Sequence, residues 1–93
     1  MRGSGDSERG NEVARARLFV TLKEGILDPQ GKTLLRSLKS LGYDEVTDLR
    51  VGKYMEIEIE GTDVASIEKR LGEMSETLLT NPIIEDYRME VEV

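Results

Sequence analysis

At 93 residues the chain is long enough for one small domain and too short for two, and with a single Phe, three Tyr and no Trp its core has to be aliphatic. The absence of Cys and His removes a disulfide framework, a thiolate nucleophile, the usual zinc ligands and the commonest general base near neutral pH. A formal net charge of −6 repels a phosphate backbone, and no apolar run reaches membrane-spanning length or forms a signal-peptide core, so the expectation is a cytoplasmic protein with no nucleic-acid or membrane partner.

Residues 1–13 carry little apolar surface and much Gly, Ser and charge, and the Met1-Arg2-Gly3-Ser4 start resembles an expression leader; this tail is expected to be disordered, with a single domain over 14–93. Alternation then begins. Ala16, Leu18, Val20 and Leu22 share one face and Arg15, Arg17, Phe19, Thr21 and Lys23 the other, which predicts a half-buried strand. Asp28 followed by Pro29 is a strong helix start, because the carboxylate accepts free N–H groups and proline has none to waste. Ile26 and Leu27 are placed to fold back as a hydrophobic staple. Leu34, Leu35, Leu38 and Leu41 form one apolar stripe of that helix, which Gly42 should end in a left-handed conformation with Tyr43 packing back on Leu38.

A second strand is expected over 46–51 and a third over 55–60. Register argues for a three-residue loop or bulge around Gly52 to Tyr54, so that Val51 faces Met55, Leu49 faces Ile57 and Thr47 faces Ile59. Thr62 or Asp63 caps a second helix whose Val64, Ile67, Leu71, Met74 and Leu78 recur at helical spacing, and Asn81-Pro82 breaks it. Gly72 inside that helix costs about 1 kcal/mol and suggests a close neighbour. A last strand puts Tyr87, Met89, Val91 and Val93 on one face and Asp86, Arg88, Glu90 and Glu92 on the other.

The order βαββαβ predicts an α+β, ferredoxin-like sandwich: a four-stranded antiparallel sheet in the order 4-1-3-2 with both helices on one face. The open face should then carry a ladder of Arg15, Arg17 and Lys23 between carboxylates of the neighbouring strands. Phe19, alone among them, suggests self-association over that face. No residue set reads as catalytic, cofactor-binding or metal-binding. An acylphosphatase-like site needs an arginine after the first strand, and residues 24–28 have none; an RNA-recognition face needs aromatics on the central strands. A small-molecule-sensing regulatory domain of the same fold remains an alternative.

Four blocks carry a family resemblance: Leu22-Lys23-Glu24-Gly25-Ile26-Leu27-Asp28-Pro29-Gln30-Gly31, Leu41-Gly42-Tyr43-Asp44-Glu45-Val46, Leu49-Arg50-Val51-Gly52-Lys53-Tyr54, and Leu78-Leu79-Thr80-Asn81-Pro82-Ile83-Ile84-Glu85-Asp86-Tyr87. In this order they resemble the PurS subunits of bacterial phosphoribosylformylglycinamidine (FGAM) synthase, over about residues 16–92. The resemblance implies a small non-catalytic subunit, dimeric or tetrameric, that holds an ATP-dependent synthetase and a glutaminase together for ammonia transfer in purine biosynthesis. ATP and magnesium would be used by the synthetase, and enzyme activity, that of a glutamine-hydrolysing C–N ligase, would belong to the complex. Topology brings three of the blocks to one end of the sheet, so Lys23, Asp28, Pro29, Gln30, Gly31, Gly52, Lys53, Asn81 and Pro82 are the candidate partner-docking residues.

Overall fold

The computed structural model describes residues 12–93. The expected tail lies outside the described residues except at its end, where Val13 already opens the first strand and the Glu12 carbonyl accepts a hydrogen bond from the Gly61 N–H at 2.9 Å. In chain order the elements are β1 (Val13–Leu22), α1 (Pro29–Ser40), β2 (Gly52–Glu60), α2 (Val64–Met74), a single π turn (Ser75–Leu79) and β3 (Glu85–Glu92).

The α+β class holds, but the sheet has three antiparallel strands in the order β2-β1-β3 rather than four. The strand expected over 46–51 does not form. Its backbone is satisfied elsewhere: the Val51 N–H donates to Asp28 Oδ2 at 3.0 Å and the Leu49 N–H to Asp48 Oδ1 at 2.9 Å. Short polar side chains that bond the backbone locally compete with a ladder in this way. The expected loop at Gly52 to Tyr54 lies inside β2, where these residues oppose Thr21, Val20 and Phe19. Gly52 is needed there because a Cβ would overlap the Val20 carbonyl oxygen.

Register sets the two faces. Ala14, Ala16 and Leu18 oppose Ile59, Ile57 and Met55 on β2, and Ala16, Leu18 and Val20 oppose Val91, Met89 and Tyr87 on β3, so one face is apolar throughout. α2 covers the β3 side of it. Its Ile67 and Leu71 are buried with Ala14, Ala16, Leu18 and Val20 to make the core. Asp63 caps α2 and accepts from Ser66 Oγ at 2.6 Å. At its end the helix widens: Ser75 Oγ donates to the Leu71 carbonyl, and the Ser75 carbonyl accepts from both the N–H and the hydroxyl of Thr80 at 2.9 Å. That leaves Leu78 80% exposed instead of in the core.

α1 does not lie on the sheet. It has no extensive packing against any strand, and its stripe stays open, with Leu34 and Leu41 exposed and Leu35 and Leu38 half-buried. Its ends form as expected. Asp28 Oδ1 accepts from the Gly31 N–H at 2.9 Å, and beyond the helix the Gly42 and Tyr43 N–H groups donate to the Lys39 and Leu38 carbonyls, with Gly42 at φ 99°. Residues 43–51 return beside the helix to its first turn, where a Cβ on Gly31 would come within 2.6 Å of the Leu49 carbonyl oxygen. Helix and return segment together make an arm joined to the sheet at Leu22 and Gly52. The staple does not form, since Leu27 is 71% exposed.

Hydrogen bonds from the Val51 and Gly31 backbone hold the Asp28 carboxyl below its ordinary value of 3.8. A depressed carboxylate contributes stability above its unfolded pKa and loses it as pH falls through the folded one. The gap in melting temperature between the wild type and Asp28→Asn should therefore be widest above about pH 5 and close below about pH 4; thermal unfolding across that range by circular dichroism checks it. The space at Gly72 is ordinary: a Cβ would stand 3.7 Å from the Tyr87 hydroxyl. Gly72→Ala should thus stabilise the protein by about 1 kcal/mol in urea unfolding, the helix-propensity gain without a clash.

Candidate functional site

The connection between β1 and α1, the start of β2 and the turn before β3 meet at one end of the sheet. The Lys23 N–H donates to the Ile84 carbonyl at 2.8 Å and Lys23 Nζ reaches Asp86 Oδ1 at 2.7 Å. Asn81 organises the turn: its N–H donates to Glu85 Oε1, its side-chain oxygen accepts from the Ile83 N–H, and its carbonyl accepts from the Glu85 N–H at 2.8 Å. Pro82 follows, exposed. Lys53 Nζ stands 3.5 Å from Glu85 Oε2, whose side chain is 15% exposed, so β2 and β3 are tied together across the end of β1.

Two shallow hollows flank this junction. One, of about 400 Å³, has Asp28, Pro29, Gln30, Gly52, Lys53 and Glu85 in its wall. The other, of about 590 Å³, lies under the β1–α1 connection between Ile26, Leu27, Lys32, Asp48 and Arg50. Asp28 belongs to both. Arg50 braces the connection by donating to the Leu22 carbonyl.

All nine residues expected at a docking end are therefore brought together, with Gly31 buried beneath them. Sequence reasoning missed Ile26 and Leu27, which stand open at the same end at 39% and 71% exposure. Their signal was available: the residue one turn into the helix from Leu27 is Lys32, which is no partner for a staple. Also missed were Arg50 and Glu85, which hold the end together. Gly42 to Asp44 sit at the tip of the arm, because α1 does not run back down the sheet.

Phe19 occupies the other, charged face. Its ring lies 5.1 Å from that of Tyr54 and 4.1 Å beneath the Arg88 guanidinium, so both neighbouring strands shield it. The expected ladder forms on this face, Arg15 to Glu58 at 3.4 Å, Arg17 to Glu92 at 3.6 Å and Lys23 to Asp86 at 2.7 Å, and Arg88 also pairs with Glu90 of its own strand at 2.7 Å. Tyr54 donates its hydroxyl to Glu56 at 2.8 Å, and that carboxylate raises the phenol's pKa. Among the described residues no three of His, Cys, Asp and Glu gather where they could hold a metal ion. The chemistry on offer at the junction is recognition: two open aliphatic side chains, an amide and several cations on backbone fixed by Asp28 and Asn81.

The family model for PurS, described as phosphoribosylformylglycinamidine (FGAM) synthase, matches residues 15–93. The Bacillus subtilis phosphoribosylformylglycinamidine synthase subunit PurS is 49% identical over 78 residues, which span 84% of this chain and 92% of that one. The solved B. subtilis PurS structure superposes with a TM-score of 0.74 over 86% of this chain and 99% of its own, at 48% identity. A chain in the structure of PurLQS from Thermotoga maritima superposes with a TM-score of 0.79 over 88% of this chain and 99% of its own, at 27% identity. Placed beside a fold that gathers the four sequence blocks around one end of the sheet and an arm, these matches leave one assignment: the chain belongs to the PurS family of FGAM synthase.

Proposed function

We propose that this chain works as the non-catalytic small subunit of an FGAM synthase, holding the ATP-dependent synthetase and the glutaminase together while ammonia passes between them in purine biosynthesis. The observation that carries the reading is the match over residues 15–93 together with the likeness to a chain of the T. maritima PurLQS assembly. The residues support it from the other side. Glutamine hydrolysis calls for an activated nucleophile, typically Cys with His, and the chain has neither; handling of ATP calls for a phosphate cradle, and no glycine-rich nucleotide loop is present. ATP and magnesium are assigned to the synthetase, and the chain to the cytoplasm where its partners work. No described helix is long and apolar enough to cross a membrane.

The end of the sheet built from Asp28 to Gly31, Gly52-Lys53 and Asn81-Pro82 is the surface assigned to a larger partner. It is preorganised, since backbone hydrogen bonds fix each loop, and Ile26 and Leu27 give it the apolar centre that interfaces use for most of their binding energy.

Leu27→Glu and Gln30→Ala should weaken co-purification with the synthetase and glutaminase, in the presence of ADP and glutamine, by tenfold or more for the first and less for the second, while the melting temperature stays within about 2 °C because both side chains are exposed. Glu45→Lys in the arm should leave capture by the same end unchanged. Absence of any complex with wild-type protein would remove the assignment. Incubated alone with glutamine, ATP and formylglycinamide ribonucleotide, the purified chain should release neither glutamate nor phosphate above background in coupled assays.

A further inference from the structure

The hollow under the β1–α1 connection, about 590 Å³ in volume, falls within the range of about 300–1,000 Å³ typical of ligand clefts. Charged side chains line it, and two of them are engaged elsewhere: Lys23 Nζ is taken by Asp86 at 2.7 Å, and the two oxygens of Asp28 are taken by the Gly31 and Val51 N–H groups. The others are Glu24, Lys32, Asp48 and Arg50. Among the described residues these four form no ion pair, with one another or with any other group. Backbone contacts hold one of each sign in place. Asp48 Oδ1 accepts from the Leu49 N–H at 2.9 Å, and Arg50 donates to the Leu22 carbonyl, so the two stay at the hollow without closing on each other. Each keeps further capacity, a second carboxylate oxygen on one and the remaining guanidinium donors on the other.

We propose that this hollow binds a free α-amino acid with an uncharged side chain on an aliphatic stem, its carboxylate on Lys32 and Arg50, its ammonium on Asp48 and Glu24, and its stem against Ile26 and Leu27. The charge set selects a ligand that carries both signs. An anion such as phosphate meets the carboxylates of Glu24, Asp28 and Asp48, and a simple amine meets Lys32 and Arg50, whereas a zwitterion finds a partner at each end. Arginine suits the carboxylate end in particular, because its planar fork donates to both oxygens at once. The wall selects the rest. Ile26 and Leu27 stand open at 39% and 71% exposure with the half-buried Leu22 and Leu49 behind them, so an aliphatic stem covers apolar surface that the chain alone leaves to water. Ile26 and Leu27 also belong to the surface assigned to a partner subunit, but binding of the amino acid is a property of the chain alone and stands or falls independently of that assignment.

The test needs neither synthetase nor glutaminase. Leucine and glutamine are the probes, titrated into the full chain and followed by two-dimensional amide NMR. At least one of them should shift the amides of Gly25, Ile26, Leu49 and Arg50 with a dissociation constant of about 1–10 mM, as suits a shallow, open site. N-acetyl-leucine, which lacks the ammonium, and leucinamide, which lacks the carboxylate, should each bind about threefold to fivefold more weakly than leucine. The same loss is expected for the amino acid with Lys32→Gln and with Asp48→Asn, both exposed, the second retaining an oxygen for the Leu49 N–H. The two derivatives decide the matter even where a variant fails to fold. No shift with either amino acid up to about 20 mM, twice the weakest constant expected, would overturn the site. Derivatives that bind as well as leucine would overturn it by making the contact purely apolar, and affinity unchanged in both variants would remove the assigned charges. Inorganic phosphate that shifts the same amides at lower concentration than either amino acid would overturn it in favour of an anion.

Discussion

The carboxylate of Asp28 is the interaction on which the rest of the architecture depends. One of its oxygens receives the N–H of Gly31 and starts α1; the other receives the N–H of Val51 and ends the return segment. Those two bonds join three pieces of backbone at the point where β1 and β2 leave the sheet. They also remove Val51 from any ladder, which is why no fourth strand forms. The glycines at 31 and 52 are needed in the same few ångströms, one against the Leu49 carbonyl and one against the Val20 carbonyl. A side chain at either position would push the arm off its seat.

Much of this was legible in the residues. Period-two alternation located all three strands that exist, because each has one face in the core and a one-residue slip would turn every apolar side chain outward. The helix start at Asp28-Pro29, the left-handed Gly42 and the crossed order of the outer strands followed from local chemistry and chirality. What failed shares one cause. Residues 46–51 have apolar residues at strand spacing, yet an element exists only where its backbone finds partners, and here the carboxylates of Asp28 and Asp48 supplied them to Val51 and Leu49. The apolar stripe of α1 forms at the expected positions but stays open, since periodicity says that a face wants cover and not which surface provides it. Taking the sheet as that cover is what placed both helices on one face.

The candidate docking end was legible for a different reason. Turn residues are fixed by backbone geometry, and once the order of elements is known the topology decides which turns are neighbours. Asp28, Gly52 and Asn81 come from stretches far apart in sequence and were still placed together correctly. Ile26 and Leu27 escaped because they were given an intramolecular job, the staple, when Lys32 could not take the other half of it.

The free margins of the sheet bear on how the molecule stays dispersed. β2 is an edge strand with Glu56, Glu58 and Glu60 at alternate positions, and β3, the other edge, carries Asp86, Glu90 and Glu92. Laying two such margins against each other would set carboxylate opposite carboxylate along the whole seam, a repulsion that guards exposed backbone hydrogen-bonding groups against runaway pairing.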